Sequence, residues 1–394
     1  MILKISKKLT SRRLKQLKTI LRKYLIIGDT DYVDVIIAVI LANMYLNSKP
    51  VWIYIVGPPG AGKTEILQAC DGCNGIYMLS SLTANTLISG KICGENESDP
   101  SLLAQLDGMV LIIKDFTTIL TGRREVRAEI LGQLRDAYDG TSCKAFGTGK
   151  TTKYTAKFGI IAAVTNEIDK HIGALSLLGE RFLIYRCPML SNEEKRARAD
   201  RASRNVNTTE QEKALKDAVK EMLAIRPQMP HFPAELRKMI EDIAMFVACA
   251  RTSVERDRFT KEVEYTPNPE VPTRLMKQLC DLCVGLAMAR EKEEIAYEEV
   301  ILTMKVAFDC LPANKIDLVN ALLHFYPKHI RPKTLAGHLK LSESGTKLKL
   351  DDLYILDLVE RVDAKTSKFS GPLYVWRLKK EYATLLKMMK GVTA

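Results

Sequence analysis

Five short runs of apolar residues punctuate the first half of the chain, and helical patterns separate them. A continuous apolar run of four to six residues is typical of a strand buried on both faces. When such strands alternate with helices, they predict a parallel sheet covered by helices on both sides. The predicted strands are residues 51–56, 76–79, 109–113, 159–164 and 182–185.

Two helices are predicted before the first strand. Residues 1–24 form a basic amphipathic pattern with Leu14, Leu17, Leu21 and Tyr24 on one side, and residues 31–46 form a strongly apolar helix. We expect the basic segment to be an extension that docks on another element or contacts DNA. A mitochondrial transit peptide has a similar composition and remains an alternative.

A hairpin is predicted between the third and fourth strands. A helix over residues 123–138 precedes two strand-like segments within residues 141–157, which flank the turn sequence Gly-Thr-Gly-Lys at 147–150. The turn is not a second phosphate loop, because Lys144 stands where that pattern requires glycine. The tip and return arm carry Lys150, Lys153 and Lys157.

The second half of the chain is mainly helical. Residues 191–230 are charged and helical, and further helices are predicted at 233–252, 273–290 and 297–310. From Pro312 onward, three helices and two strand-like segments resemble a winged helix-turn-helix domain. That resemblance places Ser344, Thr346, Lys347 and Lys349 on the helix that enters a DNA groove, and Lys365 and Lys368 on the wing. A protein-docking domain is the alternative.

Charge and cysteine content narrow the setting. Of the net charge of +12, residues 1–24 carry +9 and residues 328–394 carry +7, so the remainder carries −4. Basic ends favour a polyanionic partner, although they also keep many proteins soluble. Nine cysteines in a chain of this size indicate a reducing cytoplasm. The pairs Cys70/Cys73 and Cys280/Cys283 lie too far apart for usual zinc-site spacing, so zinc is a minor alternative.

A phosphate loop follows the first predicted strand. The sequence Gly-Pro-Pro-Gly-Ala-Gly-Lys-Thr at 57–64 lets the backbone turn so that its N–H groups converge on an anion at a helix start. Lys63 supplies a charge for the β- and γ-phosphates, and the Thr64 hydroxyl can bind Mg²⁺. The chain is therefore predicted to bind ATP and Mg²⁺ through Gly57, Pro58, Pro59, Gly60, Ala61, Gly62, Lys63, Thr64 and Glu65.

Polar residues at other strand ends complete this candidate site. Asp115 follows the third strand and is a candidate ligand for Mg²⁺, and Asn166 follows the fourth strand and can orient a water molecule. Arg181 precedes the fifth strand, and Arg186 stands at the far end of that strand. An arginine in this part of the chain would face outward, toward a neighbouring subunit.

These motifs together resemble the AAA+ ATPases over about residues 31–310, and among them MCM-type helicases and the related ATPases of phages and mobile elements. The resemblance implies a homo-oligomeric ring, usually a hexamer, with ATP bound between subunits. It implies that Lys63, Thr64 and Asp115 serve phosphate and magnesium, and that Asn166 is the sensor-1 residue. Arg181 would be the arginine finger acting in trans, and Arg274 would be sensor 2. The hairpin with Lys150 and Lys153 would be a lever that grips DNA backbone.

One departure from the family pattern concerns the third strand end. The family usually has Asp-Glu there, whereas this chain has Lys114-Asp115-Phe116. Either Asp115 is the metal-side acid and the base lies elsewhere, at Glu65 or Glu125, or Asp115 occupies the base position. The first interpretation is favoured because Mg²⁺ requires a carboxylate more strictly. This departure from the family pattern is compatible with slow hydrolysis.

The predicted organisation is an α/β P-loop fold with a five-stranded parallel sheet, a helical lid and a winged-helix domain. The boundaries are a basic extension at 1–30, a nucleotide-binding core at 31–190, a lid at 191–311 and a DNA-binding domain at 312–394. The first functional hypothesis is a DNA motor, a replicative helicase of a mobile element or phage. The alternatives are an ATP-switched loader, initiator or transcriptional regulator, and a protein-remodelling ATPase. No membrane association is expected.

Overall fold

The computed structural model of the chain describes residues 11–25, 29–89, 91, 99–147, 149, 151–171, 181–204, 208–364 and 373–391. Contacts divide the chain into two compact units. The first comprises Met1–Pro233 and Cys280–Glu299, and the second comprises Ala234–Leu279 and Val300–Ala394. The predicted lid, residues 191–311, contributes to both units, and the four predicted domain ranges stay predictions.

The first unit is built on the predicted parallel sheet. The strands of this unit are β1 (Trp52–Val56), β2 (Ile76–Leu79), β3 (Val110–Ile113), β4 (Thr141–Ala145), β5 (Thr151–Thr155), β6 (Gly159–Val164) and β7 (Phe182–Arg186). Five of them pair in the order β2, β3, β6, β1, β7, and every neighbouring pair is parallel. The α/β prediction with five parallel strands is therefore confirmed.

The central strands are apolar throughout because helices cover both faces of the sheet. Every residue of β1, β3 and β6 is buried. The α-helices that lie wholly in this unit are α1 (Arg12–Tyr24), α2 (Asp31–Tyr45), α3 (Lys63–Ala69), α4 (Ala84–Leu87), α5 (Thr117–Leu120), α6 (Arg124–Tyr138), α7 (Asn192–Arg204) and α8 (Thr209–Leu223).

The basic N-terminal helix packs into this unit. Leu14, Leu17, Leu21 and Tyr24 of α1 are buried, as their spacing predicts, and α1 lies against α8. The polar side of α1, including Arg12 and Lys15, faces solvent. The described part of the predicted extension is thus an integral helix of the first unit.

The predicted hairpin is present next to the sheet. Strands β4 and β5 pair in antiparallel fashion, with Thr141 opposite Thr155 and Ala145 opposite Thr151. The hairpin returns directly into β6, since only residues 156–158 separate β5 from that central strand.

Aromatic packing fixes the start of β1. The Trp52 ring lies 5.0 Å from the rings of Tyr138 and Phe182 and 5.6 Å from that of Phe158, between ring centroids. Its indole N–H donates to the Phe158 carbonyl at 2.7 Å, which satisfies the one polar atom of the buried side chain.

The second unit is mostly helical. The remaining elements are α9 (Ala234–Arg251), α10 (Thr273–Ala289), α11 (Tyr297–Asp309), α12 (Ala313–Phe325), α13 (Pro332–Leu339), α14 (Glu343–Ile355), β8 (Val359–Asp363), β9 (Tyr374–Leu378) and α15 (Lys380–Met389). Two of these helices, α10 and α11, have residues in both units.

The end of the second unit contains the three helices and two strands expected after Pro312. Strands β8 and β9 are antiparallel, with Val359 opposite Leu378, and Ile330 bridges to Trp376. The final helix, α15, was not expected from the sequence, although it is amphipathic and buries Leu385, Leu386 and Met389. The assignment of this region as a winged helix-turn-helix stays a prediction.

Two further findings concern membranes and metals. No helix in the described ranges is both long and apolar enough to span a bilayer. Within the same ranges, no group of three or more His, Cys, Asp or Glu side chains is arranged to hold a metal ion. The zinc alternative considered for the cysteine pairs therefore has no support among those residues.

Candidate nucleotide site

The phosphate loop connects the carboxyl end of β1 to α3. The Gly57 amide donates to the Val164 carbonyl at 3.1 Å, which ties the start of the loop to the end of the neighbouring strand β6. Gly60 and Gly62 have φ angles of 74° and 83°, in the left-handed region that glycine adopts without strain. Gly62 precedes the first residue of α3, so the turn delivers the loop directly to a helix start.

A close contact that the sequence did not reveal favours glycine at position 57. A Cβ atom placed on Gly57 would lie 3.0 Å from the Cβ and 3.3 Å from the Sγ of Cys187. Cys187 is held there because its amide donates to the Val56 carbonyl at 2.8 Å. The residue after β7 therefore packs against the first glycine of the loop.

Lys63 is buried inside the loop, with 7% of the residue exposed. Its Nζ donates to the carbonyls of Gly57 at 2.7 Å and Pro58 at 2.8 Å. Burial lowers the pKa of Lys63, and the charge of Asp115 partly opposes that shift. A buried ammonium that shares its environment with backbone carbonyls is suited to receive phosphate oxygens, so the loop fits a nucleotide.

Thr64 and Asp115 supply oxygen atoms suited to magnesium. Thr64 lies in the first turn of α3 and is exposed, and Asp115 is exposed just beyond β3. One Asp115 oxygen, Oδ1, accepts the Thr117 amide at 2.9 Å, which fixes the orientation of the carboxylate. Mg²⁺ takes hydroxyl and carboxylate oxygens together with substrate phosphates, so these residues fit the ion. The structure is compatible with both interpretations of Asp115.

A pair of threonines joins the ends of β3 and β6. The Thr165 amide donates to Thr117 Oγ1 at 3.1 Å, and the Phe116 amide donates to the Ala163 carbonyl at 2.9 Å. Asn166, the candidate sensor, is exposed at the start of a 3-10 helix that follows Thr165. The threonines were not identified from the sequence, because a lone Thr at a strand end is common.

The two alternative base candidates, Glu65 and Glu125, differ in their surroundings. Glu65 is partly buried and accepts a hydrogen bond from Tyr24 of α1. Burial raises the pKa of Glu65, and the nearby charge of Glu212 raises it further. Glu125 is exposed in the first turn of α6. Asp115 is therefore the acid that the structure associates most directly with Lys63.

Aromatic residues outside the loop reach the same edge of the sheet. The Tyr32 hydroxyl of α2 lies 3.5 Å from the Gly62 carbonyl. The Tyr185 hydroxyl of β7 donates to Asp29 Oδ2 at 2.7 Å. Burial raises the pKa of both phenols, so both remain protonated donors at neutral pH. The start of α2 thus adjoins the phosphate loop.

The part of the chain that forms this edge of the sheet matches a known protein family. Residues 53–187, about a third of the chain, match the family described as ATPase family associated with various cellular activities (AAA). This match supports an AAA+ ATPase. The matched residues run from β1 to Cys187 and include the loop, Asp115 and Asn166. No curated protein matches the chain.

Two arginines stand at opposite ends of β7. Arg181 precedes the strand, is 6% exposed, and binds Asp139 Oδ2 through Nη2 at 2.6 Å. Arg186 ends the strand beside Val56 and makes two 2.8 Å bonds to the Asp169 carboxylate. Arg181 is thus away from its own phosphate loop, and its role as a finger in trans stays a prediction.

The other predicted residues lie outside the loop region. Arg274, the candidate sensor 2, belongs to the second unit and is exposed in the first turn of α10. Lys153 is exposed on β5, opposite Cys143. Lys150 lies outside the described residues, as do Lys365 and Lys368.

One expectation about residues near DNA, that for Thr346, is wrong. Lys157, at the end of the return arm, donates through Nζ to the Leu46 carbonyl at 2.7 Å and anchors the hairpin base. Thr346 is fully buried and bonds the Ser342 carbonyl, so it cannot reach a base. Lys347 is exposed and Lys349 half-buried; two residues apart on α14, they project from different faces.

Proposed function

We propose that the chain is an ATP-driven DNA motor, a ring-forming replicative helicase of a mobile element or phage. The AAA match supports ATP binding and an ATP-driven activity. The proposal adds that the chain acts on DNA, that it forms a ring, and that ATP hydrolysis in the ring is coupled to movement of the DNA. The observation that carries it is the exposed basic hairpin of β4 and β5, which leads without a long linker into β6, the strand that ends two residues before Asn166.

In this proposal each residue at the phosphate loop has a separate role. Lys63 leaves the Gly57 and Pro58 carbonyls and binds the β- and γ-phosphates. Thr64 and Asp115 hold Mg²⁺, which when bound neutralises charge on the phosphates. Asn166 orients the attacking water. Arg181 of a neighbouring copy and Arg274 stabilise charge on the γ-phosphate.

The hairpin converts the state of this site into movement of DNA. A shift at Asn166 is transmitted along β6, because a strand within a packed sheet moves as a rigid element. The hairpin lysines, Lys150 and Lys153, then change their position on the phosphate backbone. The C-terminal region contributes a second contact through Lys347, Lys349, Lys365 and Lys368. Both contacts weaken as salt rises.

Strand displacement on a forked duplex tests the motor. We expect ATP-dependent unwinding by the intact chain, none by Lys63→Ala, and a strong loss for Lys150→Ala/Lys153→Ala. The matched control is Lys213→Ala/Lys216→Ala, which removes two exposed lysines from α8. Normal unwinding by the hairpin variant would rule out the lever.

A second candidate is a DNA-bound ATP switch that does not unwind. The observation that favours it is the strand end at β3, where Lys114 precedes Asp115 and both other base candidates have contacts elsewhere or lie exposed on α6. Slow hydrolysis suits a loader, an initiator or a transcriptional regulator. DNA-bound assembly that depends on ATP, in the absence of unwinding, would support the switch and exclude the motor.

A further inference from the structure

Residues 324–340 of the second unit, the α12–α13 corner, form a basic surface without acidic residues. The corner runs from the last turn of α12 to the residue after α13, and it contains three of the chain's five histidines. Its four cations are exposed, and none makes a side-chain hydrogen bond or ion pair with the described residues. Cations without a partner leave a positive potential at the surface, which a polyanion can neutralise. These cations are Lys328, Arg331, Lys333 and Lys340.

The acidic side chains near the corner do not cancel its charge. Glu360 of β8 lies 3.8 Å from His329 Nε2, but its carboxylate is already bonded to Arg377 at 2.8 Å. Asp317 lies about 10 Å before the corner along the axis of α12, and Glu343 follows the corner at the start of α14. Set against the four cations, these two exposed acids leave a net charge of +2.

Two histidines of the corner stack on each other at the surface. The His324 and His338 rings are nearly parallel, with 14° between their planes and 5.3 Å between their centroids. The Phe325 ring stands edge-on to both, with its centroid 5.0 Å from that of His324 and 5.3 Å from that of His338. Both imidazoles are exposed, whereas Phe325 is half-buried and supports them. Exposed flat rings close in sequence to unpaired cations are suited to stack on an unpaired nucleobase.

Backbone bonds and packing hold the corner in place. The Ile330 amide donates to the Trp376 carbonyl at 2.8 Å, and the Trp376 amide donates to the Ile330 carbonyl at 2.9 Å, which ties the connection between α12 and α13 to β9. Leu335 and Ala336 of α13 are buried, so the exposed side of that helix carries Lys333 and His338. A surface that is already ordered loses little conformational entropy when it binds a ligand.

We propose that the α12–α13 corner binds single-stranded DNA, with its cations on the phosphates and a base stacked on His324 or His338. The bases of a duplex are stacked on each other, so an unpaired strand is the form of DNA that can use the imidazoles. The inference deepens the proposed function, on which it rests for the choice of DNA as the polyanion. It gives the C-terminal region a contact for the unpaired strand, in addition to those proposed at Lys347 and Lys349.

Fluorescence anisotropy with a labelled oligothymidylate, which forms no duplex, measures the contribution of the cations. Every chain compared carries Lys150→Ala/Lys153→Ala, so that binding by the β4–β5 hairpin does not mask the corner. Each phosphate contact to a single strand contributes about 0.7 to the slope of log affinity against log salt, so Lys328→Ala/Arg331→Ala/Lys333→Ala should reduce that slope by about 2. Lys340 is retained because it ends α13 with a φ of 56°, where a replacement would also perturb the helix end.

The matched control removes the same residue types from elsewhere in the second unit. Arg258→Ala/Lys277→Ala/Lys380→Ala replaces one exposed arginine and two exposed lysines, and should keep the slope of the parent chain. An unchanged slope in the corner variant, or an equal change in the control, overturns the proposal. A reduced slope with duplex DNA but not with oligothymidylate would assign the corner to duplex DNA and also overturn it.

Base stacking has a separate signature, measured above the ordinary pKa of histidine so that the imidazoles are uncharged. His324→Ala/His338→Ala should weaken oligothymidylate binding by about fivefold to a hundredfold, the contribution of one stacked base, and leave the salt slope unchanged. The loss should disappear on an abasic strand, which has phosphates but no bases. His324→Phe/His338→Phe retains the rings and should retain the affinity. An equal loss on both strands, or a Phe variant as weak as the Ala variant, overturns the stacking contact.

The two proposals fail in distinguishable ways. If the intact chain neither hydrolyses ATP nor unwinds a forked duplex, but the corner variants lose affinity for oligothymidylate, the motor fails and the corner contact stands. If the intact chain unwinds DNA and both corner variants bind oligothymidylate like their parent, the corner contact fails alone. Thermal unfolding of each variant checks the fold, which changes at exposed side chains should leave nearly unaltered.

Discussion

Replacement of Lys63 by Met removes the ammonium group from the phosphate loop and keeps most of the buried stem. The ammonium is held by two backbone carbonyls, those of Gly57 and Pro58, in a site where burial lowers the pKa of Lys63. The charge is therefore costly to the chain without nucleotide. We expect Lys63→Met to leave the melting temperature without ATP unchanged or slightly raised.

The same replacement should strongly weaken ATP binding. Loss of one partner from a buried, hydrogen-bonded charge pair costs about 2–5 kcal/mol. This range corresponds to a dissociation constant raised by about thirtyfold to several thousandfold. Ligand stabilisation should fall accordingly, because ATP at about a hundred times its dissociation constant adds about 2.7 kcal/mol to the stability of the wild type.

Titration with a fluorescent ATP analogue and thermal unfolding with and without ATP measure both effects. Lys153→Met is the matched control. Lys153 is exposed on β5, so the variant chain should bind ATP normally. An affinity within twofold of the wild type would refute the assignment of Lys63 to the phosphates. A large loss of stability without ATP would refute the argument that the buried charge is costly.

Two further predictions concern stability. Lys315 donates to the carbonyls of Ala250 and Thr252, and burial lowers its pKa from 10.5 to about 8, so the unfolded chain binds more protons between these values. The free energy of unfolding should therefore rise with pH above 8, by about 2 kcal/mol at pH 9.5 relative to Lys315→Met. Urea denaturation at several pH values measures this, and the same pH dependence of unfolding free energy in both chains would contradict it. Gly285→Ala should cost about 2–3 kcal/mol and lower the melting temperature, because its Cβ would lie 2.3 Å from the Ala38 carbonyl oxygen. Gly132→Ala, the control on α6, has no atom within 4 Å and should be neutral or stabilising.

The strands and the phosphate loop could be predicted from the sequence because both are local signals. A strand buried on both faces must be apolar at every position, so β1, β3 and β6 appear as continuous runs. The loop needs glycine at Gly60 and Gly62, where φ is positive. In both cases the backbone itself requires the residue type.

Contacts between distant segments could not be predicted in this way. Asp34 of α2 lies 2.8 Å from the Arg290 guanidinium, and Arg290 also binds Glu299 at 2.5 Å. Both acids are almost fully buried, so each charge depends on a partner. Asp34 is 256 residues from Arg290, and no local pattern marks such a pair. The contact of Gly57 with Cys187 is hidden for the same reason.

Experiment can distinguish two roles of Arg181, a structural one within its own chain and one on a neighbouring copy in an assembly. In the single chain its guanidinium is buried against Asp139 and lies 5.5 Å from the centroid of the Tyr138 ring. If this contact is its whole role, Arg181→Ala and Asp139→Ala should lower the melting temperature by similar amounts and reduce ATPase activity only as far as folding is lost.

If Arg181 acts on the nucleotide of a neighbouring copy, the two variants should separate. Arg181→Ala should abolish ATPase activity below its melting temperature, whereas Asp139→Ala should retain it. In this case the Asp139 carboxylate only binds the Arg181 side chain while that side chain is not in contact with the neighbouring nucleotide. Mixing Arg181→Ala chains with Lys63→Ala chains decides between these roles, since an assembled site can take its loop from one chain and its arginine from the other. Recovered activity at intermediate ratios requires a shared site. No recovery at any ratio would leave Arg181 as a structural residue.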